Sequence, residues 1–185
     1  MSQTVDEVRV PLGGNVRFAP KGTALPTQAN LEDPDFVIPV AFVDLGLRTS
    51  DGAPDWQESP SAPIELYEDG YEVSANTGTL QMTTTLAQVS PAILGALYGV
   101  TYSVGGAADI DIDAVVEGVV WTDTLYRMGD GSEQLERKVA PARCTARATA
   151  KDQRGNITGL TATFTVKRSA ELGNKHFRHA LISAA

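Results

Sequence analysis

Residues 79–99 constrain the chain more than any other stretch. They read TLQMTTTLAQV and then SPAILGALYG. In the first half Leu80, Met82, Thr84 and Leu86 alternate with Thr79, Gln81, Thr83 and Thr85, which predicts a half-buried strand with a polar threonine face. Ser90 then supplies an N-cap oxygen, and Pro91 falls at the first helical position, where its missing N–H costs nothing. Gly99 supplies the stop. The helix predicted over residues 90–98 is short and apolar on nearly every side, and a helix of that length is not stable alone in water. Its residues Ile93, Leu94, Leu97 and Tyr98 must be covered, either by the chain's own sheet or by a neighbouring subunit. The expectation is a mainly β protein clamped by one short flanking helix.

The remaining segments agree with that class. Seventeen glycines, ten prolines and many Val and Thr in 185 residues favour strands joined by turns around a single core. Residues 1–35 read as an N-terminal arm with a first short strand at 16–19. Residues 36–168 read as the β domain and residues 169–185 as a C-terminal arm or short helix, with Phe177 and Leu181 four apart. Within the domain, residues 36–48 predict a strand interrupted at Pro39. Residues 49–63 form a long polar loop, and Asp69-Gly70 marks a hairpin. Further strands are predicted at 100–104, 110–121 with its continuation to Met128, 134–150 and 157–167. In the second of these Asp109, Asp111 and Asp113 would share one face.

Most chemistry that the residues suggest fails on spacing. The Asp109-x-Asp111-x-Asp113 run opens like a calcium loop, but the required sixth Gly and twelfth Glu are Ala114 and Val120. His176 and His179 have no accompanying cysteine or carboxylate cluster. Cys144 is the one cysteine, so no internal disulfide forms, which points to folding inside the cell. No nucleophile elbow, phosphate loop or dinucleotide fingerprint is present. The expectation is a non-enzyme with no catalytic residue, no cofactor and no metal. No segment approaches the length of a membrane helix, so no membrane partner is expected.

Charge is divided along the chain. Residues 1–130 carry 5 Lys/Arg and 19 Asp/Glu, a net of −14, and residues 131–185 carry 10 and 4, a net of +6. Such an arrangement favours head-to-tail association of copies. The overall acidity argues against a protein that grips nucleic acid, since that needs Lys and Arg at the phosphates.

The order of motifs resembles the major tail tube proteins of long-tailed, non-contractile (siphovirus-type) phages, especially those infecting actinobacteria. The likeness runs through Asn15-Val-Arg-Phe-Ala-Pro-Lys-Gly-Thr-Ala-Leu-Pro-Thr27, Ala41-Phe-Val-Asp-Leu-Gly46 and Ser50-Asp-Gly52. It continues through Gln81-Met-Thr-Thr-Thr-Leu86 and Ala92-Ile-Leu-Gly-Ala-Leu-Tyr-Gly99, and more loosely through Lys138-Val-Ala-Pro-Ala-Arg143. Residues 33–39, ahead of the Ala41 motif, depart from the pattern. The resemblance implies a β-sandwich whose sheet joins its neighbours into a barrel, with a flanking helix, a stacking loop and bridging terminal arms. It implies six copies in a ring and rings stacked into a virion tube, assembled in the host cytoplasm. Its partners would be other copies of the chain, a tape-measure protein, and tail terminator and tip proteins. Phage DNA would pass down the lumen without specific binding.

On that basis the polar faces of the central strands, Glu65, Glu72, Gln81, Thr83, Asp111 and Asp113, are expected to line an acidic lumen. Asp51, Trp56 and Glu58 in the long loop are expected to contact the adjacent ring. Trp56 has two possible places, folded back on its own core or anchored in a partner's pocket. Ile93, Leu94, Leu97 and Tyr98 form the subunit-packing helix. The alternative is a carbohydrate- or receptor-binding β-sandwich of a virion, which requires exposed aromatics on one face.

Overall fold

The computed structural model describes residues 5–61, 63–65, 72–74, 78–149, 154 and 157–183. Eight strands form one antiparallel sheet. Along the main path they are β2 (Val43–Asp44), β1 (Arg9–Pro20), β7 (Val116–Met128), β8 (Glu133–Thr149), β9 (Leu160–Val166), β6 (Thr79–Leu86) and β3 (Asp55–Ser59). The eighth, β10 (Arg178–Ser183), pairs with the first half of β8, on the edge that β9 occupies further along. β4 (Pro63–Glu65) and β5 (Glu72–Ser74) pair as a separate two-stranded sheet, and Asp69-Gly70, which predict the turn between them, lie outside the described residues. The helices are α1 (Gln28–Glu32) and α2 (Pro91–Tyr98). The mainly β class is the one expected.

The sheet curls over on itself. β1 and β9 are three strand spacings apart along the sheet, about 14 Å if it were flat. Yet the Phe18 and Phe164 rings meet with centroids 5.2 Å apart. Both face an inner core that also takes Val16, Met82, Leu86, Val120 and Leu160. The chain after β2 then reaches the far side of the curl. Leu45 N donates to Val16 O on β1 at 2.9 Å, while Thr49 N donates to Thr85 O on β6 at 3.1 Å. Ala87 N donates to Leu47 O at 2.7 Å, and Arg48 bridges to Leu86. The result is barrel-like, and α2 fills its interior. Ile93 and Leu97 are buried among those core residues.

The helix α2 has the ends its sequence demands. Ser90 Oγ accepts from Ile93 N at 3.3 Å, and Gly99 takes the left-handed conformation at φ 68°. Arg147 Nε donates to the otherwise free Leu97 carbonyl at 2.7 Å, and its guanidinium lies over the Tyr98 ring. A second core lies on the outer face. There α1 and the irregular chain around it place Leu31, Phe36 and Phe42 against Trp121, Val139 and Ala180.

Several expectations need correction. The first strand runs Arg9–Pro20, far beyond 16–19, because Gly13 and Gly14 do not break it. A Cβ on Gly14 would lie 2.0 Å from Asp123 O, so close strand approach requires glycine there. Residues 36–48 give only the two-residue β2. Pro34 and Pro39 remove donors, and Phe36, Ile38 and Phe42 pack over Trp121 as irregular chain. Asp55–Ser59 is strand β3, paired to β6, inside the predicted loop. A second helix exists, α1, with a Thr27/Asn30 capping box that uses Asn where Glu or Gln is the usual signal. Residues 100–115 contain no strand. Asp111 Oδ1 accepts from Asp113 N at 2.9 Å, so the aspartates sit in a turn, not along a strand face. The C-terminal segment, read as an arm or short helix, contains one 3-10 turn at Ala170–Leu172 and then strand β10, so Phe177 and Leu181 do not lie on a helix. A spacing of four residues satisfies a period of two as well as 3.6, so Phe177 and Leu181 could not decide it.

Phe164→Ala removes the ring that meets Phe18 across the curl. It should cost about 3–5 kcal/mol, read as a lower urea midpoint with an unchanged slope. A shift below about 1 kcal/mol would show that the two walls are held apart from this contact.

Candidate functional site

On β6 and β9 the alternating pattern sends apolar residues inward and hydroxyls outward. Leu160, Ala162, Phe164 and Val166 are buried, and Thr161, Thr163 and Thr165 stand on the other side. The register sets Thr83 opposite Thr163 and Thr85 opposite Thr161. Their hydroxyls lie 3.3 and 2.9 Å apart. Thr145 sits at the bulge in β8, with its Oγ1 3.1 Å from Thr165 Oγ1. Cross-strand hydroxyl pairs of this kind stabilise the ladder and fix side-chain directions. Gln81 continues the face along β6, and Asp55 and Gln57 continue it onto β3. These side chains stay exposed or half-exposed, whereas the outer face of β1, β7 and the first half of β8 is covered by α1 and its flanking chain. The outer surface is therefore half covered and half a bare hydroxyl wall.

Charges border that wall. Asp55 lies on one margin and Arg143 on the other. Next to Arg143, the Glu117 carboxylate accepts from Lys167 and, at 2.8 Å, from Lys21. Those two ammonium groups, Lys167 foremost, hold the Glu117 carboxyl down to about 2. This knot ties the ends of β1 and β9 to β7.

A second group lies where β3 meets β10. Trp56 is half-buried, packed against the inner core, with the Phe177 ring 6.0 Å away and Lys138 Nζ 5.7 Å from its own ring centre. Glu136 receives His179 Nε2 at 2.8 Å and Tyr126 OH at 3.1 Å, with Lys138 Nζ at 3.3 Å. Burial opposes the charge on Glu136, but Lys138, His179 and Tyr126 together hold its carboxyl below the usual range. This cluster fastens β10 to β8.

The residues named from sequence are scattered. Gln81 and Thr83 lie on the hydroxyl wall. Glu65 and Glu72 are register partners across the β4–β5 hairpin. Asp111 and Asp113 occupy the turn before β7. Asp51 and Glu58 are exposed on either side of Trp56. Ile93 and Leu97 are taken up by the chain's own core, and Leu94 and Tyr98 are half-buried against it. Sequence reasoning missed Thr145, Thr161, Thr163 and Thr165 as site residues, although the LTATFTV alternation at 160–166 carried the signal.

Among the described residues no three His, Cys, Asp or Glu side chains gather as metal ligands, and no helix is long and apolar enough to cross a membrane. A family model described as phage tail tube protein matches residues 1–176. No curated protein matches the chain.

The Glu117 knot makes a pH prediction. Its folded pKa is depressed, from 4.5 to about 2, so its stabilisation is present above the unfolded value and is lost as pH falls through that window. Denaturation midpoints of wild type and Glu117→Gln should differ at pH 6 and converge as pH approaches 2. A constant gap would show that the carboxylate charge does not act.

Proposed function

The chain belongs to the phage tail tube protein family, and from that premise we propose that six copies close into a ring and rings stack into the hollow conduit for phage DNA. The protein is a structural virion component of the tail. The observation that carries the finer reading is the bare hydroxyl wall of β3, β6, β9 and the second half of β8. A self-assembling subunit leaves bare the face that neither its own helices nor its neighbours cover, and in a tube one such face is the bore.

The chemistry of that wall suits passage. DNA presents roughly one negative charge per 1.7 Å of duplex, and binding it requires cations that displace its counterions. The wall offers Gln81, Thr83, Thr161, Thr163 and Thr165, with charges only at its margins. DNA finds hydration there without ion pairs, so it slides. The lumen in this reading is near-neutral and hydroxyl-rich, and a tape-measure protein occupies it until terminator and tip proteins have closed the tube ends. Assembly takes place in the host cytoplasm. The hairpin carrying Glu65 and Glu72 and the segment carrying Asp51 and Glu58 are left to contact neighbouring copies.

The carbohydrate-binding alternative needs an aromatic platform, and Trp56 is half-buried against Phe177 instead. In the tube reading Trp56 stiffens β3 beneath Asp51 and Glu58. Trp56→Ala should leave a folded monomer that grows shorter tubes under negative-stain microscopy. Tubes of wild-type length from a less stable monomer would make the indole a purely internal support.

The lumen assignment is tested with Thr163→Cys, since burial pushes the thiol of Cys144 up and keeps it inert. In assembled tubes a small maleimide should label Cys at 163 while a protein-sized maleimide should not; both should label the monomer. Equal labelling of tubes by both reagents would put the wall outside, and labelling by neither would put it in a subunit interface.

A further inference from the structure

The far end of the β7–β8 hairpin carries an apolar knob with an acidic rim. The turn Val5–Glu7 packs on it so closely that the Val5 carbonyl leaves no room for a Cβ on Gly129. Val5 is 72% exposed, and Val8 and Val10 are each 54% exposed. Around them Asp6, Glu7, Asp130 and Glu133 stand against Arg9 and Arg127, four acids to two bases. Arg9 is turned onto the Tyr126 ring, and Arg127 is the register partner of Glu133 and Val10. The knob is net negative, and none of its acids has an ion-pair partner among the described residues.

A groove of opposite sign lies at the near end of β7. It measures about 430 Å³ and runs between residues 21–25, which follow β1, and residues 167–171, which follow β9. Leu25, Val119 and Pro141 give it an apolar floor, and Lys21, Lys167, Glu117 and Glu171 line its sides. Arg143 is the register partner of Glu117, and Lys175 bridges to Ser169 in the groove wall. Arg178 Nη2 donates to the Glu171 carbonyl at 3.3 Å. The count is five bases to two acids, and it stays positive with Glu32 of α1 added. Lys21 and Lys167 are engaged by Glu117, whereas Arg143 and Lys175 have no ion-pair partner among the described residues.

The two surfaces match in sign, and each is apolar at its centre and charged at its rim, the anatomy of a protein interface. The knob cannot enter the groove of its own chain. β7 is 13 residues long, and at about 3.3 Å per residue the two lie roughly 40 Å apart. A second copy in line brings them together.

We propose that the groove takes the knob of the next copy, with Val5 and Val8 seated over Leu25 and Pro141, and Asp6 and Glu7 facing Arg143 and Lys175. Apolar contact supplies the affinity, and charge fixes which end meets which. The contact is heterologous and runs along the direction of β7, so its repetition extends a filament. It rests on the self-assembly reading above.

The test measures the protein concentration needed for tube formation, by sedimentation and negative-stain microscopy. The chains compared are wild type, Val5→Asp, a knob reversal (Asp6→Lys with Glu7→Lys), a groove reversal (Arg143→Glu with Lys175→Glu), and both reversals together. Val5→Asp and each single reversal should raise that concentration about tenfold or more, with monomer melting unchanged. The combined reversal should restore assembly, which also proves that its parts fold. Wild-type tubes together with unaffected variants, or with no rescue in the combined chain, overturn the docking and leave the tube reading standing. Wild-type protein that never forms tubes overturns the tube reading, and the docking with it.

Discussion

Backbone hydrogen bonds from residues 45–49 hold the two ends of the curled sheet together, and the rest of the architecture depends on that closure. Leu45 bonds to β1 and Thr49 to β6, so one short segment spans both walls. The closure encloses Phe18, Phe164, Met82 and Leu86 as a dry core and gives α2 an apolar interior to enter. A short apolar helix cannot persist in water, and here it does not have to. Closure also turns what would be sheet edges into internal pairs, which limits unprogrammed strand addition.

Once the sheet is closed, its outer face has to serve two purposes. Over β1, β7 and the first half of β8 it is apolar, built on Trp121 and Val139, and is covered by α1, Phe36 and Phe42. Arg137 lies beside Trp121 and donates to the Leu31 carbonyl at 3.2 Å, tying that cover down. Over β6 and β9 the same face is paired threonine, which needs no cover because its hydroxyls satisfy one another and water, and Asp55 and Gln57 carry it onto β3. The border between the regions is the Glu117–Lys21–Lys167 knot. A subunit of the phage tail tube family thus carries its own second core on one half of the surface and leaves the other half wet.

The long strands β7 and β8 give the molecule a direction. The loop 100–115, with Val104 and Ile112 exposed, lies at one end of β7, and the half-exposed Val8, Val10 and Leu12 lie at the other.

Local sequence settled whatever depends on near neighbours. Ser90, Pro91 and Gly99 dictated the ends of α2, and alternation in TLQMTTTL and LTATFTV dictated which side chains face in. Both are effects of one strand or one turn, so no distant partner was needed to see them. Where two distant segments meet, the chain alone was silent. The first strand, expected at 16–19, starts at Arg9 because β7 supplies a long partner and the close neighbour that makes Gly14 necessary. Phe177 and Leu181 fitted either period until β8 offered an edge to β10. Asp109, Asp111 and Asp113 alternated like a strand, but no strand stood beside them to complete the ladder. The sequence by itself determined the mainly β class, the short helix and the threonine face, because these follow from periodicity and capping. Only the tertiary structure decided that the sheet closes, that α2 lies inside it and that half the outer face stays bare, because those outcomes depend on which segments compete to cover the same apolar surface.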